Sequence, residues 1–325
     1  MKFKESLQIG NMNLRNRIVM PPMDTSKAED GKPGANLVEY YRARAKGTAL
    51  IIVEHEYIIP QGIAHNGQLS MSDDSVIPAF KTLTDSVHEE GAKIFAQISH
   101  AGAKASDSGM AAVGPSAVAF RNGPVPEELT HDQIKEIIQA FADAAVRVKK
   151  AGFDGVEVHA AHGYLLNQFY SPLMNKREDE YSIKTMENRT RIHKEVVQAV
   201  RKAVGDDFTV AIRFGACDYL EGGSEIKDIP EAITHLENAG VDIIDVTAGM
   251  MGFIRPGHRE PGYLKDLGLA AKSVAKLPII LTGGVQTPLD AEKLLTEKAC
   301  DLVGVGRAML KDANWTTKAL EFEEE

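Results

Sequence analysis

The heptapeptide Ile18-Val19-Met20-Pro21-Pro22-Met23-Asp24 decides between two architectures. Its Val/Ile-rich start reads as a buried parallel strand. In a doubly wound dinucleotide-binding sheet the first such strand runs into a Gly-x-Gly-x-x-Gly turn that cradles a pyrophosphate. Here Ile18–Met23 runs into Pro22-Met23-Asp24 instead, so the phosphate-binding turn of that fold is missing where it should stand.

Working outward, seven further runs of the same kind follow: Ala49–Ile59, Ile94–Ser99, Gly155–His159, Phe208–Phe214, Ile243–Ala248, Pro278–Thr282 and Leu302–Gly306. They are continuously apolar rather than alternating, as strands are when both faces of a sheet are covered. The stretches between them carry helical spacing. From Thr130 to Gly152 an apolar stripe passes through Ile134, Ile137, Ile138, Phe141, Ala145 and Val148. Thr130 and Gln133 form a capping-box pattern at its start. A second helix runs from Asn188 through Ile192, Val196 and Val200 to Gly205, and a third starts around Pro230 and ends near Gly240. Weaker patterns cover Leu37–Lys46, Val76–Glu90, Leu264–Ala275, Leu289–Leu295 and Ala313–Leu320. Eight strand–helix units predict an α/β fold, a (β/α)8 TIM barrel, which takes roughly 250 residues. The remaining length falls in an N-terminal cap segment and in loop insertions at Ser106–Glu128 and Leu173–Glu187. At ~150 residues per domain a 325-residue chain could hold two. No linker rich in Pro, Gly or Ser divides it, so residues 1–325 read as a single domain.

Composition narrows the function. Apolar residues make up 43% of the chain, enough for a sizeable core. The net charge is −9 with no basic run, which argues against a nucleic-acid or anionic-membrane surface. Cys217 and Cys300 cannot by themselves build a disulfide framework, a four-cysteine zinc site or an iron–sulfur cluster. The N-terminus lacks the apolar run of a signal peptide, and no apolar segment approaches ~18 residues. The expectation is a soluble, cytoplasmic protein. Self-association stays open, with the acidic tail Glu321–Glu325 read as solvated.

Function in such barrels collects where the strands end at their C-terminal face. The last two strands exit into Gly283-Gly284 and Gly304-Val305-Gly306-Arg307. These could be tight turns only. The loops after the seventh and eighth strands are also the usual phosphate site of this fold, where glycines admit an anion to backbone N–H groups and Arg307 adds a bidentate fork. The fourth strand exits through His159-Ala160-Ala161-His162-Gly163-Tyr164. Two imidazoles and a phenol there could grip an oxyanion and donate a proton. Paired imidazoles also bind metals. No His-x-His pair or carboxylate stands at another strand exit in ligand spacing, so no metal is expected. Gln97 and His100 end the third strand, and Arg213 ends the fifth. A buried Gln offers a donor and an acceptor to an imide-like edge. A buried Arg stabilises a ring that gains negative charge, although Glu54, Glu157 or Asp245 could equally claim Arg213 as an ion-pair partner.

Several of these segments together resemble the Old Yellow Enzyme family, and its compact single-barrel bacterial ene-reductase branch in particular. They are Asn16-Arg17-Ile18-Val19-Met20-Pro21-Pro22-Met23, Gln97 with His100-Ala101-Gly102, and the run from His159 to Phe169. Ser171-Pro172-Leu173, Asn175-Lys176-Arg177, Asp179-Glu180-Tyr181 and Glu187-Asn188-Arg189 continue the match, which is collinear from about residue 3 to residue 320. The resemblance implies a tightly but non-covalently bound FMN, with NAD(P)H as reductant. It places the FMN phosphate on Gly283, Gly284, Gly306 and Arg307. Gln97 would face the pyrimidine edge and Arg213 the N1/O2 side, with Pro22, Met23, Asp24 and His55 along the other edge. It further implies that His159 and His162 hold the oxygen of a small electrophilic substrate, an enone, quinone or nitro compound. Hydride would pass from flavin N5 to the β-carbon, and Tyr164 would protonate the α-carbon.

The sequence departs from that family at Asp24, where a Cys or Thr is usual, and at His55, where a small residue is usual. A carboxylate at residue 24 should disfavour the anionic reduced flavin. Ser26 replaces a substrate-contacting Tyr, and Ser182-Ile183-Lys184 replaces a Gly-Gly-Ser. With two cysteines and a chain ending after the eighth helix, flavin is expected to be the sole redox centre. Two other functions fit the same residues less fully. One is a phosphate-binding barrel lyase or isomerase using His159 and His162 as acid and base. The other is a non-catalytic flavin-binding protein.

Overall fold

The computed structural model describes residues 1–323; Glu324 and Glu325, the end of the acidic tail, lie outside the described residues, while Glu321 and Glu323 are exposed. Eight parallel strands form the barrel: β1 (Ile18–Met20), β2 (Leu50–Tyr57), β3 (Lys93–Ser99), β4 (Gly155–Ala160), β5 (Thr209–Cys217), β6 (Ile243–Ala248), β7 (Ile279–Thr282) and β8 (Leu302–Gly304), with the two residues Leu69–Ser70 added alongside β2. Each pairs with its sequence neighbour, and β1 pairs with both β2 and β8, through Val19↔Leu50 and Val303↔Ile18, so the sheet closes. Every apolar run read from the sequence becomes a strand of this barrel. Four, β1, β2, β7 and β8, are shorter than the runs that announced them. β1 stops at Met20 because Pro21 and Pro22 have no N–H to give the ladder, and β8 stops at Gly304.

The helices fall between the strands: α1 (Ala35–Ala45), α2 (Ile77–Glu89), α3 (His131–Lys150), α4 (Met186–Val204), α5 (Ile229–Ala239), α6 (Lys265–Lys272), α7 (Pro288–Thr296) and α8 (Trp315–Glu321). The Thr130–Gln133 capping box at α3 is formed in both directions. Two short helices, Leu165–Tyr170 after β4 and Arg307–Lys311 after β8, were not anticipated, because five or six residues are too few to show a 3.6-residue period. Among the described residues no helix is long and apolar enough to cross a membrane.

The alternation of each strand sorts its residues into two layers. Ile51, Val53, Ile94, Val156, Val210, Ile244 and Ile279 face the helices. Val19, Leu50, Ile52, Phe95, Ala211, Ile243, Ile280 and Leu302 fill the lower barrel interior. The N-terminal cap segment proves to be an antiparallel hairpin, Leu7–Ile9 with Met12–Leu14, and its Ile9, Met12 and Leu14 complete that inner cluster from below. Gly155 makes room for the large residue at its centre, since a Cβ there would lie 2.5 Å from the Phe95 ring. β2 carries one irregularity that matters for function. Val53 pairs with Ala96 but Glu56 with Ile98, so three steps on β2 match two on β3. Such a bulge breaks the in–out alternation and re-aims the residues within it. His55 lies within it and reaches the barrel mouth.

Candidate active site

A cavity of about 520 Å³ opens at the C-terminal ends of the strands, within the range of small-molecule sites. Its floor is polar. The register sets Gln97 beside Glu157 and Arg213 beside both His159 and Asp245. Gln97 Nε2 donates to Glu157 Oε1 at 2.7 Å. Arg213 pairs with Asp245, Nε to Oδ2 at 3.1 Å, which settles its partner among the three carboxylates the sequence offered. All four residues are buried. Burial, with the Asp245 charge nearby, pushes Glu157 up to about 8. Asp245 rises by burial to about 6, restrained by Arg213. Both carboxyls therefore hold a proton more tightly than free ones, Glu157 the more so.

The wall after β4 carries the imidazole–phenol group. His162 takes φ +57 and turns the chain so that its ring returns to His159, with ring centroids 5.2 Å apart. The Tyr164 ring lies 4.8 Å from that of His159. His162 Nε2 is 3.2 Å from Thr247 Oγ1, while His159 Nδ1 is buried without a partner. Burial first, then neighbouring His162 for the one and Arg213 for the other, hold both imidazoles well below their ordinary pKa. They are neutral hydrogen-bonding groups at pH 7. Burial pushes the Tyr164 phenol up, helped by Asp24. His55 Nε2 lies 3.0 Å from the Tyr164 hydroxyl.

The opposite side is made by the last two strand exits. Gly284, Gly306 and Arg307 line the cavity together with Thr282. Gly284 has φ +73 and a Cβ on it would press on Glu260 and Tyr263, so this position needs glycine. Thr282 Oγ1 is buried with no partner. Gly283 does not line the cavity; it packs against Leu264. Pro22, Met23, Asp24, His55, Gln97, His159, His162, Tyr164 and Arg213 all do. His100 is elsewhere. It is buried, its Nδ1 accepts the Gly102 N–H at 3.0 Å, and burial lowers its pKa to about 4, so it stabilises the turn after β3.

Sequence reasoning missed part of the rim. Lys104 Nζ donates to His162 O at 3.0 Å and stands 4.4 Å from the Tyr164 ring centroid, its amine lowered to about 8 by burial and Arg121. Phe120 and Arg121 come from the Ser106–Glu128 insertion, whose excess length was the available signal. Asp24, His55 and His65 were also not grouped. One ligand-type atom from each lies within 4.8 Å of the others, as it does for His131, Asp179 and Glu180 at the surface. Asp24 is not a lone charge, because its Oδ2 is 2.7 Å from His65 Nε2.

A closed parallel barrel whose C-terminal mouth gathers an amide, a guanidinium, neutral imidazoles and a phenol is a TIM-barrel enzyme in architecture and in the placement of its site. The sequence profile of the NADH:flavin oxidoreductase / NADH oxidase family matches residues 3–324, and the chain belongs to that family. That family is one of flavin oxidoreductases, and FMN is its cofactor. The chain is 40% identical over 318 residues to an NADPH dehydrogenase of Clostridium acetobutylicum, covering 96% of this chain and 92% of that one. It is 42% identical over 325 residues to an NADH oxidase of Thermoanaerobacter brockii, covering 97% of this chain and 50% of that one. The chain thus spans about half the length of the latter relative. The Old Yellow Enzyme homologue of Zymomonas mobilis superposes with a TM-score of 0.87 at 27% identity, over 99% of this chain and 93% of that one. Family membership displaces the lyase or isomerase reading.

Proposed function

We propose that residues 1–325 act as one FMN-binding barrel that oxidises NAD(P)H and reduces small electrophiles: activated alkenes such as enones, quinones and nitro compounds. The observation that carries this reading is the juxtaposition of two neutral imidazoles and a phenol on one wall with Gln97 and Arg213 on the floor. The names of the relatives, an NADPH dehydrogenase and an NADH oxidase, support a nicotinamide as reductant.

The residues present fit FMN. Thr282 Oγ1 and His159 Nδ1 are buried polar atoms without hydrogen-bond partners, at a cavity of ligand size. Gly284, Gly306 and Arg307, with the Gly283 main chain, would hold the phosphate. Gln97 and Arg213 would hold the pyrimidine side of the ring, and Pro22, Met23, Asp24 and His55 its other edge. When bound, FMN supplies the hydride chemistry. The chain supplies the rest. His159 and His162, neutral and therefore able to donate N–H bonds without charge, would bind the substrate oxygen and polarise the conjugated bond. Arg213 would stabilise negative charge on the ring through the guanidinium face that Asp245 leaves free. Tyr164 would deliver its hydroxyl proton to the α-carbon.

The test is Tyr164→Phe in the FMN-loaded protein. Anaerobic reduction by NADH or NADPH should be unchanged, while reoxidation by cyclohex-2-enone should slow by roughly 10²- to 10⁴-fold, the range for a lost general acid. An unchanged reoxidation rate would remove Tyr164 from the mechanism.

A further inference from the structure

Tyr164 stands where a phenol is difficult to reload. Its side chain is largely buried, and burial raises its pKa, so a phenolate left after proton donation is unstable there. Something behind it must return the proton. The inference that follows rests on the reading of Tyr164 as proton donor.

His55 occupies the place such a group needs. Its Nε2 is 3.0 Å from the Tyr164 hydroxyl. For the phenol to point its hydrogen at substrate, its oxygen must accept this bond, so Nε2 carries the hydrogen. Burial lowers His55 to about 4, with Asp24 opposing and His65 and Lys104 reinforcing the shift; the His159 and Tyr164 rings also pack against it. The ring is therefore neutral at pH 7. Its Nδ1 is left as an acceptor, and among the described residues it makes no hydrogen bond.

The next group outward is a proton-carrying pair. His65 Nδ1 is 2.9 Å from the carbonyl of Asn66, and a carbonyl only accepts, so that nitrogen bears a hydrogen. His65 Nε2 is 2.7 Å from Asp24 Oδ2. A proton taken up from solvent by either side chain can be held between this nitrogen and the carboxylate. The two side chains are 29% and 36% exposed, open to solvent where His55 at 7% is not. The contributing atoms of Asp24, His55 and His65 are within 4.8 Å of one another. One water spans that distance with two hydrogen bonds of about 2.8 Å each.

We propose that the Asp24–His65 pair and His55 form a proton relay that returns a solvent proton to Tyr164 in each turnover. The Tyr164 O–H bond breaks as the substrate C–H bond forms. His55 Nε2–H passes its proton to the phenolate oxygen. Nδ1 of His55 takes one from the Asp24–His65 pair through the intervening water, and the pair recovers a proton from solvent. No electrons move, and one solvent proton is consumed per substrate. Between substrates the ring gives up its Nδ1 hydrogen to water and takes one at Nε2 from water in the emptied mouth, which restores the starting tautomer with no net change in protons. His55 and His65 are positioning and proton-supplying residues that act through Tyr164.

The experiment compares wild type, His55→Ala and His55→Gln as FMN-loaded proteins in anaerobic stopped flow. Relative to its own rate of reduction by nicotinamide, each variant should be reoxidised by cyclohex-2-enone at least about tenfold more slowly than wild type. Their solvent deuterium isotope effect should rise, and added imidazole should restore the His55→Ala rate in proportion to its concentration. Histidine ¹⁵N resonances of the oxidised holoenzyme should show His55 as the Nε2–H tautomer. His55→Gln keeps a hydrogen-bond donor for Tyr164 but cannot relay, so full activity in that variant would make the role merely structural and overturn the relay. An Nδ1–H tautomer would overturn it as well. If wild type is reoxidised by the enone and His55→Ala is equally fast, the relay alone falls. If reduced wild type is reoxidised by no activated alkene, the functional reading falls with it.

Discussion

At the lower end of the barrel, Ile9, Met12 and Leu14 of the N-terminal hairpin close over Val19, Leu50, Phe95 and Leu302 in one apolar cluster. At the upper end the same strands finish in Gln97, Glu157, His159, Arg213 and Asp245, all buried, and several of their polar atoms have no hydrogen-bond partner. Burying an unpaired polar atom costs about 1–3 kcal/mol. A fold optimised for stability alone would treat both ends like the lower one. The contrast identifies the mouth as the end whose residues are arranged for a ligand, and the hairpin as the end that stabilises the scaffold beneath it.

Substitutions at the two ends should therefore separate. His159→Ala should lower enone turnover by roughly 10²- to 10³-fold, the loss typical of a donor to a developing oxyanion, and leave the unfolding midpoint nearly unchanged. Leu14 is fully buried, and Leu14→Ala should cost about 2–5 kcal/mol in denaturant unfolding. Its folded fraction should turn over substrate at the wild-type rate. Parallel losses of stability and activity in both variants would erase the distinction between the ends.

A smaller effect probes the floor that joins them. Glu157 is raised from 4.5 to about 8 by burial and by Asp245. The folded chain holds this proton where the unfolded chain has released it. The resulting stabilisation is complete below the unfolded value and is lost as pH rises through 8. Glu157→Gln cannot lose it, so between pH 6 and pH 8 its stability should fall less than that of wild type. The difference is at most ~1.4 kcal/mol per pH unit. Urea unfolding at the two pH values measures this, and identical slopes would mean that Glu157 is ionised in the folded protein.

The barrel was legible because its signals are long and mutually consistent. Eight Val/Ile-rich runs, the Thr130 capping box and the helix stop at Gly205 all point to one architecture. The hairpin is also legible in the sequence, where Leu7, Ile9, Met12 and Leu14 alternate around Gly10-Asn11. Site residues at strand exits were found because strand ends are visible in sequence. His55 was foreseen near the flavin but not against Tyr164, because the bulge in β2 that re-aims it depends on pairing with β3. Lys104, Phe120 and the His65–Asp24 pair escaped for a related reason: loops meet in space without any period in the chain. His100 also stands at a strand exit, but it accepts the Gly102 N–H and stabilises the turn rather than facing the cavity.

The central claim is that the polar mouth is a flavin site used for two-electron transfer between a nicotinamide and an electrophile. Its most direct test is an anaerobic titration of the FMN-loaded protein, following the visible flavin band. NADH or NADPH should bleach the band at one equivalent, and cyclohex-2-enone should restore it. A protein that retains no flavin, or whose bound flavin stays oxidised with both nicotinamides, would contradict the account.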